Sequence, residues 1–273
     1  DAEAAPAKSF AELRAEVEAD AKAAWRGEAF MAKPDVLEAV VSVASVHAWR
    51  CSSFIRGTCE MAALLVFVMA YDGAINLADA EADAYWFLSQ LMGEVQDSIV
   101  DEAVLANQAA RIHELLRAYD PALAEMLAGI GLSALPALRI STAMFVRAGF
   151  LLSDCVRIWD SLLADPRRFA FCDYLTVGLL VANRGEMLQH QNVGAVAEAL
   201  LAAPRMVESA KLLRTSYAIC AFERRCSAEI AGARNPFPPR PEQSAAEAIE
   251  ETLSEARQRL SSLWGRVRVA GAG

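Results

Sequence analysis

The sequence predicts an all-α protein, and three observations predict it. Ala and Leu dominate the composition, Gly and Pro are sparse at 14 and 10 of 273 residues, and β-branched residues seldom alternate with polar ones. With 55% hydrophobic and 22% charged residues, the chain has ample apolar surface for one large globular unit or a closely packed pair of helical subdomains. No internal repeat of fixed period is present.

The elements follow in order. Ser9 to Trp25 reads as a first helix, punctuated by Gly27 and Pro34. Asp35 to Trp49 places Val36, Leu37, Val40, Val41 and Val43 at helical spacing, until Cys51-Ser52-Ser53 breaks the pattern. After Gly57 an apolar helix runs to Tyr71, bounded by Asp72-Gly73. Asp79 to Met92 is a further apolar helix carrying Tyr85, Trp86 and Phe87. Glu102 to Tyr119 is amphipathic, with Leu105, Ile112, Leu115 and Leu116 on one side.

Pro121 stands where a new helix begins, Leu127 to Leu132 is a turn, and Pro136 marks another start. Short apolar helices are expected over Ala137 to Val146, Ser153 to Leu163, Phe169 to Met187 and Gly194 to Leu201, then a long one over Arg205 to Ile230. The packed domain is therefore set at residues 10–232. A Pro-rich linker, 233–242, holds the run Arg234 to Pro241, which cannot be helical because its prolines lack the amide donor. An amphipathic helix within 243–268, with Ile249, Leu253, Leu260 and Leu263 on a stripe, either folds back on the body or meets a partner helix. The Gly and Ala residues at its end are expected to be disordered.

The formal charge of −9 argues against nucleic acid and, more weakly, against unaided binding to anionic lipid. The most apolar run, Met61 to Tyr71, is about half a membrane span and reads as a core helix. Asp1 to Asp20 lacks the apolar segment of a signal peptide, and the missing initiator Met leads us to expect flanking sequence. Six Cys residues without a CxxC pair are expected to be free thiols in a reducing compartment, so a cytoplasmic location is expected.

The usual chemical signatures are missing. There is no glycine-rich phosphate loop, dinucleotide fingerprint, GxSxG elbow or HExxH pair, and no metal or cofactor is expected. His47, His113 and His190 lie far apart and are read as surface or capping residues. Glu81, Asp83, Asp97, Asp101 and Glu102 are read as solvated helix faces.

Several ordered segments carry more information. Arg111 to Leu116, Tyr119-Asp120-Pro121-Ala122-Leu123, Leu127 to Gly131, Ala137-Leu138-Arg139, Met144-Phe145 and Asp154 to Leu163 occur in sequence. Glu81 to Trp86 precedes them. The Arg157-Ile158-Trp159-Asp160 run is the most specific: Trp159 offers a large surface to bury, and Asp160 can accept hydrogen bonds. This series resembles the TBC domain of Rab GTPase-activating proteins over roughly residues 10 to 205. Ile140, where the family usually carries Trp, and one extra residue near Ala148-Gly149-Phe150 depart from the pattern.

The resemblance implies an all-α, multi-helix domain that binds a GTP-bound Rab and inserts two fingers into its nucleotide site. One is the Arg of an IxxDxxR motif, which neutralises charge on the transferred phosphoryl group; the other is the Gln of a YxQG motif, which orients the attacking water. Here the first motif aligns with Val17 to Ala23. Asp20 is retained, Ala23 stands at the Arg position, and on a continuous helix Lys22 and Arg26 project about 100° and 60° away from it. The second aligns with Phe54-Ile55-Arg56-Gly57, followed by Glu60. Phe54 keeps the ring, Gly57 is retained, and Arg56 replaces the Gln. A methyl group carries no charge, and a guanidinium only donates, so neither finger chemistry is expected.

Three roles are open to Arg56: a surface salt bridge, a grip on a GTPase without catalysis, or a relocated arginine finger. The GTPase-facing set is accordingly Asp20, Lys22, Ala23, Phe54, Arg56, Gly57 and Glu60. The expected function is a GTPase-binding effector or adaptor in membrane trafficking that reaches membranes through its Rab. Its rivals are an active GTPase activator and a scaffold unrelated to GTPases.

Overall fold

The computed structural model describes residues 8–71, 75–130, 142–190 and 192–232, and every regular element among them is helical. The chain divides into two compact units: Asp1–Asn107 with Thr142–Val156, and Gln108–Ser141 with Arg157–Gly273.

The first unit holds α1 (Phe10–Ala21), α2 (Pro34–Arg50), α3 (Thr58–Ala70), α4 (Leu77–Val95) and the short α5 (Asp97–Val100). Its centre is α3, whose residues Thr58 to Val66 are all buried. A helix apolar on every side must be wrapped, and α1, α2 and α4 pack against it. Helix α1 opens with a capping box, in which the Ser9 side chain accepts from Glu12 N and Glu12 accepts from Ser9 N at 2.7 Å.

The sequence carries α1 to Trp25, but the helix stops at Ala21. Trp25 has φ 50° and Gly27 φ 96°, which no right-handed helix accommodates. The angular placement of Lys22 and Arg26 relative to Ala23 therefore does not apply. Helix α4 starts earlier than Asp79, where the Asn76 side chain accepts from Asp79 N at 2.9 Å, and extends past Met92. Its core face is Ala80, Ala84, Leu88, Leu91, Met92 and Val95, so the aromatic cluster lies off that face, with Trp86 and Phe87 exposed.

The second unit takes most of α6 (Glu102–Tyr119), then α7 (Pro121–Gly129), most of α8 (Leu152–Ala164), α9 (Phe171–Ala182), α10 (Arg184–Met187), α11 (Val193–Met206) and α12 (Ser209–Gly232). Helix α6 matches its sequence reading residue for residue. Pro121 takes the first position of α7, behind Asp120, which accepts from Leu123 N at 3.1 Å and holds Arg184 Nε at 2.6 Å.

The expected helix Phe169 to Met187 is instead a 3-10 turn, Arg168–Ala170, followed by α9 and α10. The break is at Asn183, which leaves helical φ/ψ and donates its side-chain amide to Ala199 O at 3.2 Å. Helix α11 runs through Pro204 to Met206 rather than ending at Leu201. The missing amide falls in the last turn and costs one backbone bond, while Leu200 and Ala203 are buried.

Helices α9 and α12 approach closely at Gly178, where a Cβ would stand 2.4 Å from Ser216 Oγ. Beside this contact Phe171 packs on Tyr217 with ring centroids 4.7 Å apart. A polar cluster unannounced by the sequence links α6, α9 and α12. Arg111 and Tyr174 both bind the Glu223 carboxylate, and Gln108 donates to Asp173 at 3.0 Å.

The described cysteines are free thiols. His113 is exposed and His190 lies 3.5 Å from Glu186, but His47 is a core residue rather than a surface one. Its imidazole pKa is lowered by burial and by Arg50, and Cys51 Sγ sits 3.7 Å from its Nε2. Among the described residues no helix is long and apolar enough to cross a membrane. The Pro136 start, residues 137–141, the 233–242 linker and the 243–268 helix lie outside the described residues.

Candidate functional site

Two segments of the first unit carry the sequence-predicted site, and the fold brings them together. The end of α1 supplies Asp20, Lys22 and Ala23; the turn before α3 supplies Phe54, Arg56 and Gly57, and the first turn of α3 supplies Glu60. Trp25, two residues beyond Ala23, donates its indole N–H to the Glu60 carbonyl at 3.0 Å. The Cys59 thiol donates to the Val17 carbonyl at 3.6 Å. Burial raises that thiol well above its ordinary pKa, and the Asp20 and Glu60 carboxylates push the same way. Cys59 is thus a buried contact, not a nucleophile.

The turn is defined by its hydrogen bond and its glycine. Thr58 N and Thr58 Oγ1 donate to the Ile55 carbonyl at 3.2 and 2.7 Å, and Gly57 has φ 104° and ψ −18°. These are the marks of a type II turn, which needs φ > 0 at its third residue. Arg56 is therefore the second residue of the turn and is exposed. Gly57 is buried at the head of α3. Replacing Gly57 with Ala should lower the unfolding free energy by about 1–2 kcal/mol, the cost of a left-handed non-glycine residue. Denaturant titration reads this directly, and an unchanged midpoint would show that the turn relaxes freely.

The other members fall as follows. Lys22 is exposed and paired with Glu18 at 2.7 Å. Ala23 is exposed, its amide bonded to Asp20 O at 2.9 Å, so its methyl is not part of the core. Phe54 is half-buried. Asp20 Oδ2 and Glu60 Oε2 are buried with no hydrogen-bond partner among the described residues. Glu60, 8% exposed, forms an ion pair with Arg147, whose Nε lies 3.2 Å from Oε1. Burial holds its carboxyl above the usual range against the pull of Arg147, and Asp20 adds to the rise.

Of the fold-motif residues, Trp159 is buried at 5% exposure, while Arg157 and Asp160 are exposed. Trp86 is 60% exposed and touches Tyr85 edge-on, so it is not a core anchor.

Sequence reasoning missed Trp25 and Arg147. Both had a signal: Trp25 leads into Arg26-Gly27 where a helix pattern fails, and Arg147 is the lone charged residue between Arg139 and Asp154.

With this architecture in view, the comparisons with known proteins define the class. The family model of the Rab-GTPase-TBC domain, RabGAP-TBC, matches residues 14–188, and the chain belongs to that family. It is 26% identical over 144 residues to TBC1 domain family member 13 of Mus musculus and of Homo sapiens. That match spans 50% of this chain and 36% of each relative's length. Among solved structures it is similar to the Chlamydomonas flagellar RabGAP TBC domain, with a TM-score of 0.61 at 16% identity, covering 78% of this chain and 73% of that one. That likeness establishes the helical fold.

Proposed function

We propose that this chain binds a GTP-loaded Rab-family GTPase without accelerating its hydrolysis, and serves as an effector or adaptor in membrane trafficking. The observation that carries this reading is the pair of finger positions. Ala23 offers a methyl group where charge must be neutralised, and Arg56 offers only donors where water must be oriented. The segments bearing them are nevertheless joined by the Trp25 indole on the Glu60 carbonyl, which supports one shared GTPase-facing surface. The domain extends over residues 10–232, and no nucleic acid is bound. The protein is cytoplasmic and reaches membranes through its partner.

Single-turnover GTP hydrolysis by a panel of purified Rab proteins, with and without this chain, tests the reading together with direct binding to the GTP- and GDP-loaded forms. Binding selective for GTP, with the hydrolysis rate unchanged, is the expected result. A second reading rests on Arg56, an exposed guanidinium at the tip of a fixed turn with no ion pair among the described residues. If the chain accelerates hydrolysis and Arg56→Ala abolishes that, Arg56 is a relocated finger and the effector reading fails.

A further inference from the structure

We infer that Arg147, outside both finger motifs, is a further cation that this site offers to its partner besides the exposed Arg56, and that it grips an oxyanion on the bound GTPase. The inference rests on the GTPase-binding reading above and adds the residue and the chemistry of the contact.

Three independent features converge on this side chain. The first is its backbone. Met144, Phe145 and Gly149 have φ 52°, 67° and 96°, and two of them are not glycine. Such left-handed residues each carry a conformational cost, and they persist only where packing over-determines them. Here the packing is visible: Met144, Phe145, Val146, Ala148 and Phe150 are buried, and the Cys155 thiol donates to the Phe145 carbonyl at 3.7 Å. Arg147 is the one residue of 144–148 that this strained, apolar segment turns outward.

The second feature is the anchor. Arg147 Nε meets Glu60 Oε1 at 3.2 Å, and Glu60 is the residue whose carbonyl carries the Trp25 indole. The guanidinium is thus tied to the point where the Ala23 and Arg56 segments join. A buried carboxylate demands a nearby cation, and holding Arg147 by Nε restrains its long side chain before any partner arrives.

The third is what the anchor leaves over. The closest approach to Glu60 is at Nε rather than at a terminal nitrogen, and the side chain is 36% exposed. A planar guanidinium fork on a partly exposed side chain matches a carboxylate or phosphate in two-point geometry. Lys22, by contrast, is committed to Glu18, and Ala23 has nothing to offer.

The test measures the affinity of the full chain for a panel of Rab proteins, each loaded with GDP or a non-hydrolysable GTP analogue, using three variants. Arg147→Gln should weaken binding about 10- to 100-fold, the range for losing a charge-assisted two-point contact. Arg147→Lys keeps the charge beside Glu60 but not the fork, and should remain at least about 5-fold weaker than wild type. Glu60→Gln leaves Arg147 charged but loosely held, so a smaller loss identifies Glu60 as a positioning residue.

A loss confined to the GTP-analogue form assigns the oxyanion to the terminal phosphate. An equal loss in both nucleotide states assigns it to a carboxylate of the GTPase. Thermal unfolding checks that each variant is folded; if Arg147→Gln is not, the Lys variant decides. Wild-type affinity in a folded Arg147→Lys and Arg147→Gln overturns the inference alone. Failure of the wild-type chain to bind any panel member overturns the binding reading and this inference together.

Discussion

Truncating Trp159 to Ala should lower the unfolding free energy by about 3–5 kcal/mol, a large part of what holds a typical domain together. Trp159 is 5% exposed on α8, beside Cys155, Ile158 and Leu162, which are all buried. Removing its ring loses the transfer energy of a large aromatic and leaves a cavity the neighbouring helices cannot fully close. Trp86→Ala is the matched control. That ring is 60% exposed on α4, and its loss should change stability by no more than about 0.5 kcal/mol. Paired denaturant midpoints decide the matter, and equal shifts for the two variants would mean that burial does not rank these tryptophans.

The same pair shows how far the sequence could be read. Both tryptophans stood in segments resembling the family, but only Trp159 was read as a large surface to bury. Around Trp86 the small residues Ala80 and Ala84 take the core face, and composition hides that because alanine is neutral between core and surface. Helix existence was legible wherever apolar spacing was strong, as in α3 and α6. Helix ends were not, because they depend on single residues. Trp25 at φ 50° ends α1, and Asn183 divides α9 from α10.

The candidate site was legible as two short motifs. What joins them was not, since a Trp25 indole on a Glu60 carbonyl and an Arg147 guanidinium on its carboxylate are long-range contacts. A further place where pattern reading fails is His47. It lies on the apolar face of α2, and a single histidine there is indistinguishable by spacing from an exposed one.

If the proposed function holds, restoring both finger residues should turn a Rab binder into an activator. Ala23→Arg combined with Arg56→Gln is expected to raise single-turnover GTP hydrolysis by a bound Rab about 10³-fold or more over the wild-type chain. The structure favours both replacements. Position 23 is exposed, so a longer side chain displaces no core atom. Position 56 is the second residue of a turn fixed by Gly57, and Gln adopts that conformation as readily as Arg. Because the two fingers act on one transition state, each single substitution should recover much less than the pair. A double variant that binds its Rab with wild-type affinity but leaves hydrolysis unaccelerated would show that Ala23 is not the arginine position, since its register rests on a short motif at a helix end, whereas Arg56 is anchored by the turn and the buried helix behind it.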